Sequence, residues 1–161
     1  MAYNTDGKIG VTLALIHDTA QFPVGERTTT TDGGVAIYCK FTTAANIYDF
    51  VSIDEDFNAA PLSTSNDDDA NFFGVVQVAV TVNYYAWVYI AGANLIGNLA
   101  GVTDIAVASP LAACAAGSGT GYLQIYTSTS QLKIVGVISQ AVASGSTSQE
   151  VLLNFPNIVL T

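Results

Sequence analysis

Charge is what this chain has least of. Only 11% of its 161 residues are Asp, Glu, Lys or Arg, against about 25% in ordinary soluble domains. Cations are scarcer still: Lys8, Arg27, Lys40 and Lys133 stand against 13 acidic residues, a net charge of −9. Four cations cannot neutralise a useful number of phosphates, which excludes nucleic acid as a partner. An anionic membrane surface would repel the chain. No apolar run approaches the roughly 18 residues of a membrane-spanning helix. The start, MAYNTDGKIG, lacks the basic and then apolar pattern of a secretory leader, so the expectation is synthesis in a host cytoplasm.

Histidine and cysteine are nearly absent too. His17 is the one histidine, and no G-x-S-x-G turn occurs anywhere. Asp18, its neighbour, would point to the opposite face of a strand and is badly placed to orient it. No catalytic residue is assigned, and the expectation is a protein that is not an enzyme. Cys39 and Cys114 lie far apart among apolar residues, without the spacing of a zinc site. They read as buried free thiols. The acidic runs at 54–56 and 67–69 lack the spacing and glycine of a calcium loop, and "GSGTG" at 117–121 lacks the lysine of a phosphate loop. No metal or cofactor is expected.

Helix signals are also missing; no long segment repeats apolar residues at three- and four-residue intervals between caps. What is present is Thr, Val, Ile, Tyr and Phe in short runs, punctuated by 14 glycines. The expectation is an all-β fold, an antiparallel barrel or sandwich of about eight to ten short strands in a single domain. Predicted strands cover residues 9–16, 35–41, 47–53, 74–82, 85–91, 94–96, 105–107, 122–126, 132–143 and 149–155, with a tight turn at Asn83. Residues 1–31, rich in Thr, read as an extended N-terminal arm. Residues 54–71 read as a long acidic loop. In 132–143, alternation puts Leu132, Ile134 and Ile138 on one face and Val135 and Val137 on the other. Both faces are apolar, which implies cover on both and makes Val135 and Val137 candidates for a subunit contact.

The stretch TVNYYAWVYIAG, residues 81–92, concentrates the aromatics. A period of two places Ala86, Val88 and Ile90 on one face, suited to a barrel interior, and Tyr85, Trp87 and Tyr89 on the other. The aromatic face is either core or a surface covered by another chain. A carbohydrate platform is disfavoured, because no Asp, Asn or Arg is interleaved to read hydroxyls. The candidate interface is therefore Tyr85, Trp87, Tyr89, Val135 and Val137, with Arg27 placed to anchor the arm on an acidic partner.

Three segments carry a resemblance. FFGVVQVAVTVNYYAWVYIAG, the upstream VGERTTTTDGGVAIYCKFTTA and the closing LKIVGVISQAVASGSTSQEVLLN together resemble the β-barrel decoration (cement) proteins of tailed-phage capsids. The resemblance spans about residues 24–155 and does not account for the acidic stretch. It implies a small β-barrel on the outer capsid surface of the virion, commonly a homotrimer. Such a protein binds across major capsid protein subunits and stabilises the expanded shell. Two alternatives stay open: a virion fibre or receptor-binding module, and a small-ligand-binding barrel.

Overall fold

The computed structural model describes residues 12–63, 72–100, 111–113, 120–125, 133–139 and 147–159. They form ten strands: β1 Arg27–Thr29, β2 Val35–Phe41, β3 Phe50–Ile53, β4 Asn58–Pro61, β5 Phe72–Val75, β6 Tyr85–Leu99, β7 Leu111–Ala113, β8 Leu123–Ile125, β9 Lys133–Ser139 and β10 Thr147–Val159. No helix occurs among the described residues. The all-β expectation is met.

The strands follow the order β1-β2-β4-β3-β5-β6-β10-β9-β7-β8, with additional pairings β2–β6 and β6–β8. The first of these closes β2, β4, β3, β5 and β6 into a five-stranded barrel. The second brings the remaining strands back to β6 at one parallel pair, Leu99↔Leu123. Closure removes unpaired edges from these five strands, edges that are otherwise sites of unwanted strand addition.

The interior of the first barrel is filled by Ile37, Cys39 and Phe41 of β2, Val51 and Ile53 of β3, and Ala86, Val88 and Ile90 of β6. Both predicted alternations, in 35–41 and in 85–91, are therefore correct. A second core holds Leu95, Leu99, Leu111, Leu123, Ile134, Val137, Val151 and Leu153. Phe50, Leu62, Phe73 and Val75 enter it from the outer side of the first barrel. β3 and β5 thus serve both cores, which explains why their short strands are apolar on both faces.

Several predicted elements differ. Residues 12–16 form turns rather than a strand; only His17 reaches the sheet, as an isolated bridge to Tyr85. Residues 9–11 and 105–107 lie outside the described residues. The strand predicted at 47–53 begins at Phe50, because Tyr48 takes a positive φ of 70°. The regular alternation of 74–82 belongs to a strand only as far as Val75. Beyond it, the Gln77 carboxamide stands in for a neighbouring strand: Nε2 donates to the Ile96 carbonyl at 2.8 Å and Oε1 accepts from the Ile96 amide at 3.2 Å. The acidic stretch is no single loop, since β4 and the buried Leu62 fall inside it; residues 64–71 lie outside the described residues. Asp54 caps its own turn, accepting from the amides of Asp56 at 2.9 Å and Asn58 at 2.8 Å. The described part of the predicted arm, 12–31, lies on the chain's own sheet. Its Thr run forms β1, with Thr28 buried. Predicted strands 85–91 and 94–96 are one strand, β6.

Glycine sets the closest approach between β5 and β6. A Cβ on Gly74 would lie 2.5 Å from the Tyr89 carbonyl oxygen and 2.5 Å from a Val88 methyl. Backbone cannot yield as a flexible side chain does, so overpacking of this kind costs about 1–3 kcal/mol. Gly74→Ala should lower the unfolding free energy by that amount, read as a lower urea midpoint with the m-value unchanged; an unaltered midpoint would show that the contact is not tight.

Candidate functional site

The aromatic face is built by direct cross-strand pairing. Tyr38 of β2 stands opposite Trp87 of β6, and Ala36 stands opposite Tyr89. Tyr38 and Trp87 have ring centroids 5.1 Å apart, and Tyr38 stacks on Tyr85 at 6.0 Å with an interplanar angle of 15°. Residues 12–26 then lie across these rings. Phe22 meets Trp87 at 5.3 Å and Tyr38 edge-on at 5.2 Å. Leu13 completes the cluster.

This cover is hydrogen-bonded to the sheet. His17 and Tyr85 exchange both backbone bonds, at 2.9 and 2.8 Å, and Tyr38 accepts from Gly25 and donates to Glu26 at 2.8 Å each. The His17 ring Nδ1 lies 2.8 Å from the Tyr38 hydroxyl, which also accepts from the Gln21 amide at 3.3 Å. Burial pushes the Tyr38 phenol up. His17 thus faces a tyrosine, and Asp18 is exposed to solvent.

The consequence for Trp87 is a correction. Its side chain is 0% exposed, enclosed by its own chain, and therefore not a surface awaiting another subunit. Its Nε1–H has no hydrogen-bond partner. An orphaned buried donor of this kind costs about 1–3 kcal/mol. Tyr85 and Tyr89 are half-buried at the margins of the cluster. Of the other predicted interface residues, Arg27 is exposed on β1 with its guanidinium 5.0 Å from the Phe72 ring centroid.

Val135 and Val137 do not share a face. Gly136 between them takes φ 81°, and the pairing with β10 shifts between Leu153 and Asn157. This bulge inverts the parity of β9. Val137 and Ile134 turn into the second core, while Val135 and Ile138 face outward, 38% and 40% exposed. The same bulge holds Phe155 at φ 46° and leaves it 54% exposed. Among the described residues of β9 and β10, Val135, Ile138 and Phe155 are the large apolar side chains left exposed. Ile138 and Phe155 were not among the predicted interface residues. The glycine inside the apolar run of β9 was the available signal.

One ionisable group is buried where the two cores meet. Asp49 is 1% exposed. Its Oδ2 accepts from the Asn46 amide at 2.8 Å, and Oδ1 accepts from the Asn98 Nδ2 at 2.8 Å. The Ser148 hydroxyl of β10 donates to the Asn98 Oδ1 at 2.7 Å. The entry to β3 is thereby tied to β6 and β10. Burial raises the Asp49 carboxyl above its ordinary pKa, partly offset by the hydrogen bonds from Asn46 and Asn98. Cys39 has a free, buried thiol, and burial pushes its pKa up. Cys114 lies outside the described residues. Among the described residues no group of three or more His, Cys, Asp or Glu is placed to hold a metal.

The fold these features define is an all-β one, a closed five-stranded barrel sharing its longest strand with a second set of strands. The chain is similar in structure to the solved N-terminal base of head fibre gp8.5 of bacteriophage phi29, with a TM-score of 0.50 and 12% identity, over 75% of this chain and 94% of that one. At that identity the likeness is one of fold. No family model and no curated protein matches the chain.

Two measurements test the site. The Trp87 emission should be blue-shifted and poorly quenched by iodide. Phe22→Ala should raise quenching and cost about 2–3 kcal/mol, somewhat less than truncating a fully buried Phe. Strong quenching of the unaltered protein would mean that Trp87 is not covered. For Asp49, a raised carboxyl pKa means that the native state holds the proton more tightly than the unfolded chain. The contribution is fullest below the unfolded pKa and is lost as pH rises through the raised value. Asp49→Asn, which leaves one donor facing a donor, should cost about 1–3 kcal/mol. The gap to wild type should be widest below the unfolded carboxyl pKa and narrow as pH rises toward neutral; a gap that widens with pH would contradict the assignment.

Proposed function

We propose that this chain is a structural protein of a phage virion, attached to the outer surface of the head. The observation that carries the reading is the likeness in fold to the base of the phi29 head fibre, over nearly the whole of that chain. Composition supports it independently. A chain with 11% charged residues presents a weakly hydrated exterior that is easily desolvated against a protein lattice. Three of the exposed large apolar side chains, Val135, Ile138 and Phe155, lie along one pair of strands, and these are the contact residues the reading assigns.

In this reading the chain binds the expanded shell, bridging subunits of the major capsid protein. A ligand that binds only the assembled, expanded state stabilises it by RT ln(1 + [L]/Kd), about 2.7 kcal/mol per site at a hundredfold excess over Kd. Repeated over many sites, a modest affinity strengthens the whole shell. No bond is made or broken, so the role requires no catalytic residue. A homotrimer would increase the number of contacts made at each position on the shell.

A second reading is favoured by the same structural neighbour: the chain forms the base of a head fibre and carries a further segment or protein outward. The two readings differ in what attachment does to the shell. Heads assembled without the chain should break at a lower temperature in calorimetry, and adding the purified chain back should restore the transition. The variant Val135→Thr/Ile138→Thr/Phe155→Ser should fail to sediment with heads while keeping its own melting temperature within a few degrees. Heads that bind the chain but are no stronger for it would favour the fibre base. Heads that never bind it would overturn both.

A further inference from the structure

A further feature lies at the middle of β6. Between the β1–β2 turn, the turn after β5 and the middle of β6 is a cavity of about 270 Å³, lined in part by Thr30, Asp32, Gln77, Tyr89, Gly92 and Asn94. Clefts at the junction of two packed units are favoured positions for small-ligand sites.

The walls are held in place. The Thr30 hydroxyl accepts from the Gly34 amide at 2.7 Å, and the Gln77 carboxamide is clamped on both backbone groups of Ile96. The floor is bulged. β6 carries one residue more than β10 between Gly92 and Leu95, Gly92 sits at φ 144°, and Asn94 at φ 58°. Asn94 is a non-glycine residue in the left-handed region, and its side chain is exposed. Bulges of this kind re-aim side chains and recur beside binding sites.

The chemistry of the lining narrows the ligand. It combines the Tyr89 phenol ring, the Asp32 carboxylate, the Asn94 carboxamide and the Thr30 hydroxyl, with no cation among the lining residues; the Gln77 carboxamide is spent on the Val76 and Ile96 backbone. Carboxylate and carboxamide oxygens accept from hydroxyls, and carboxamide NH₂ groups donate to them. Tyr89 offers an apolar body with a polar tip. That set suits an uncharged polyol with one apolar face, which is a pyranose ring. With no lining cation and a net charge of −9, an anionic sugar is disfavoured. The volume falls below the roughly 300–1,000 Å³ of pockets for drug-sized ligands, so one ring fits rather than a chain of them.

We propose that this cavity is a binding site for a neutral monosaccharide unit, such as the terminal sugar of a surface glycan. The polar residues that a platform needs are supplied by three separate segments around Tyr89. They are not interleaved within the aromatic stretch, so the spacing of that stretch concealed them. The site shares no residue with the contact set Val135, Ile138 and Phe155, and its failure would leave the virion reading untouched.

The test is saturation-transfer NMR on the full chain with glucose, galactose, mannose and N-acetylglucosamine, alongside N-acetylneuraminic acid and glucose 1-phosphate. At least one neutral sugar should bind, with a dissociation constant in the millimolar range. Asp32→Ala and Asn94→Gly, the latter keeping the left-handed backbone accessible, should each weaken it about tenfold, the scale of a lost hydrogen bond, without lowering the melting temperature. Absence of binding by every neutral sugar, binding confined to the charged pair, or affinity unchanged in both variants would each overturn the proposal.

Discussion

The backbone hydrogen bonds of β6 are the constraint on which the rest of the molecule depends. From Tyr85 to Ala91 the strand pairs with β2 and closes the first barrel; from Ala91 to Leu99 it pairs with β10 and founds the second core. It gains one residue on β2 and one on β10 along the way, and two such shifts restore the original parity. The odd-numbered face therefore points away from the first barrel on both sides of the two shifts, at Trp87 and again at Leu95 and Leu99. At Trp87 that face is covered by residues 12–26, and at Leu95 and Leu99 it is covered by the second set of strands. Tyr89 packs against both clusters and marks the boundary.

This sharing explains how so uncharged a chain stays specific about its fold. A core of aliphatic and small residues tolerates many arrangements, and direction comes from a few buried polar groups whose partners cannot be exchanged. The Asp49–Asn98–Ser148 group is one, linking β3, β6 and β10. The pairing of His17 with the Tyr38 hydroxyl is another, fixing the segment that covers Trp87. Gln77 is a third, completing β6 where β5 has ended. With internal direction supplied in this way, the outer surface is left free to be apolar and weakly charged.

The legible part of the fold was the part with local periodicity. β2 and the first half of β6 were readable to the residue, as was the turn at Asn83, whose φ of 65° suits asparagine. The short strands β1, β4 and β7 were not, because three or four residues carry no period and their sequences are Thr-, Ala- and Pro-rich. The alternation of 74–82 misled because the strand ends at Val75 and the Gln77 side chain takes over the pairing to β6, which a period of two does not signal. At β9 the valines were assigned to the wrong faces because a glycine bulge reverses parity, which no regular template anticipates. The fate of Trp87 was decided by Phe22 and Leu13, some 65 to 74 positions away. The sequence pattern named the aromatic face correctly and could not say which chain would cover it.

If one strand serves both cores, the two must open together. Native-state hydrogen exchange on the β6 amides tests this directly. The account predicts that Val88 and Ile90, in the first barrel, and Leu95 and Leu99, in the second core, exchange through a single opening with the same free energy, equal to that of global unfolding. Free energies that differ between the two halves of β6 by more than about 1 kcal/mol, with the second core opening alone, would contradict it.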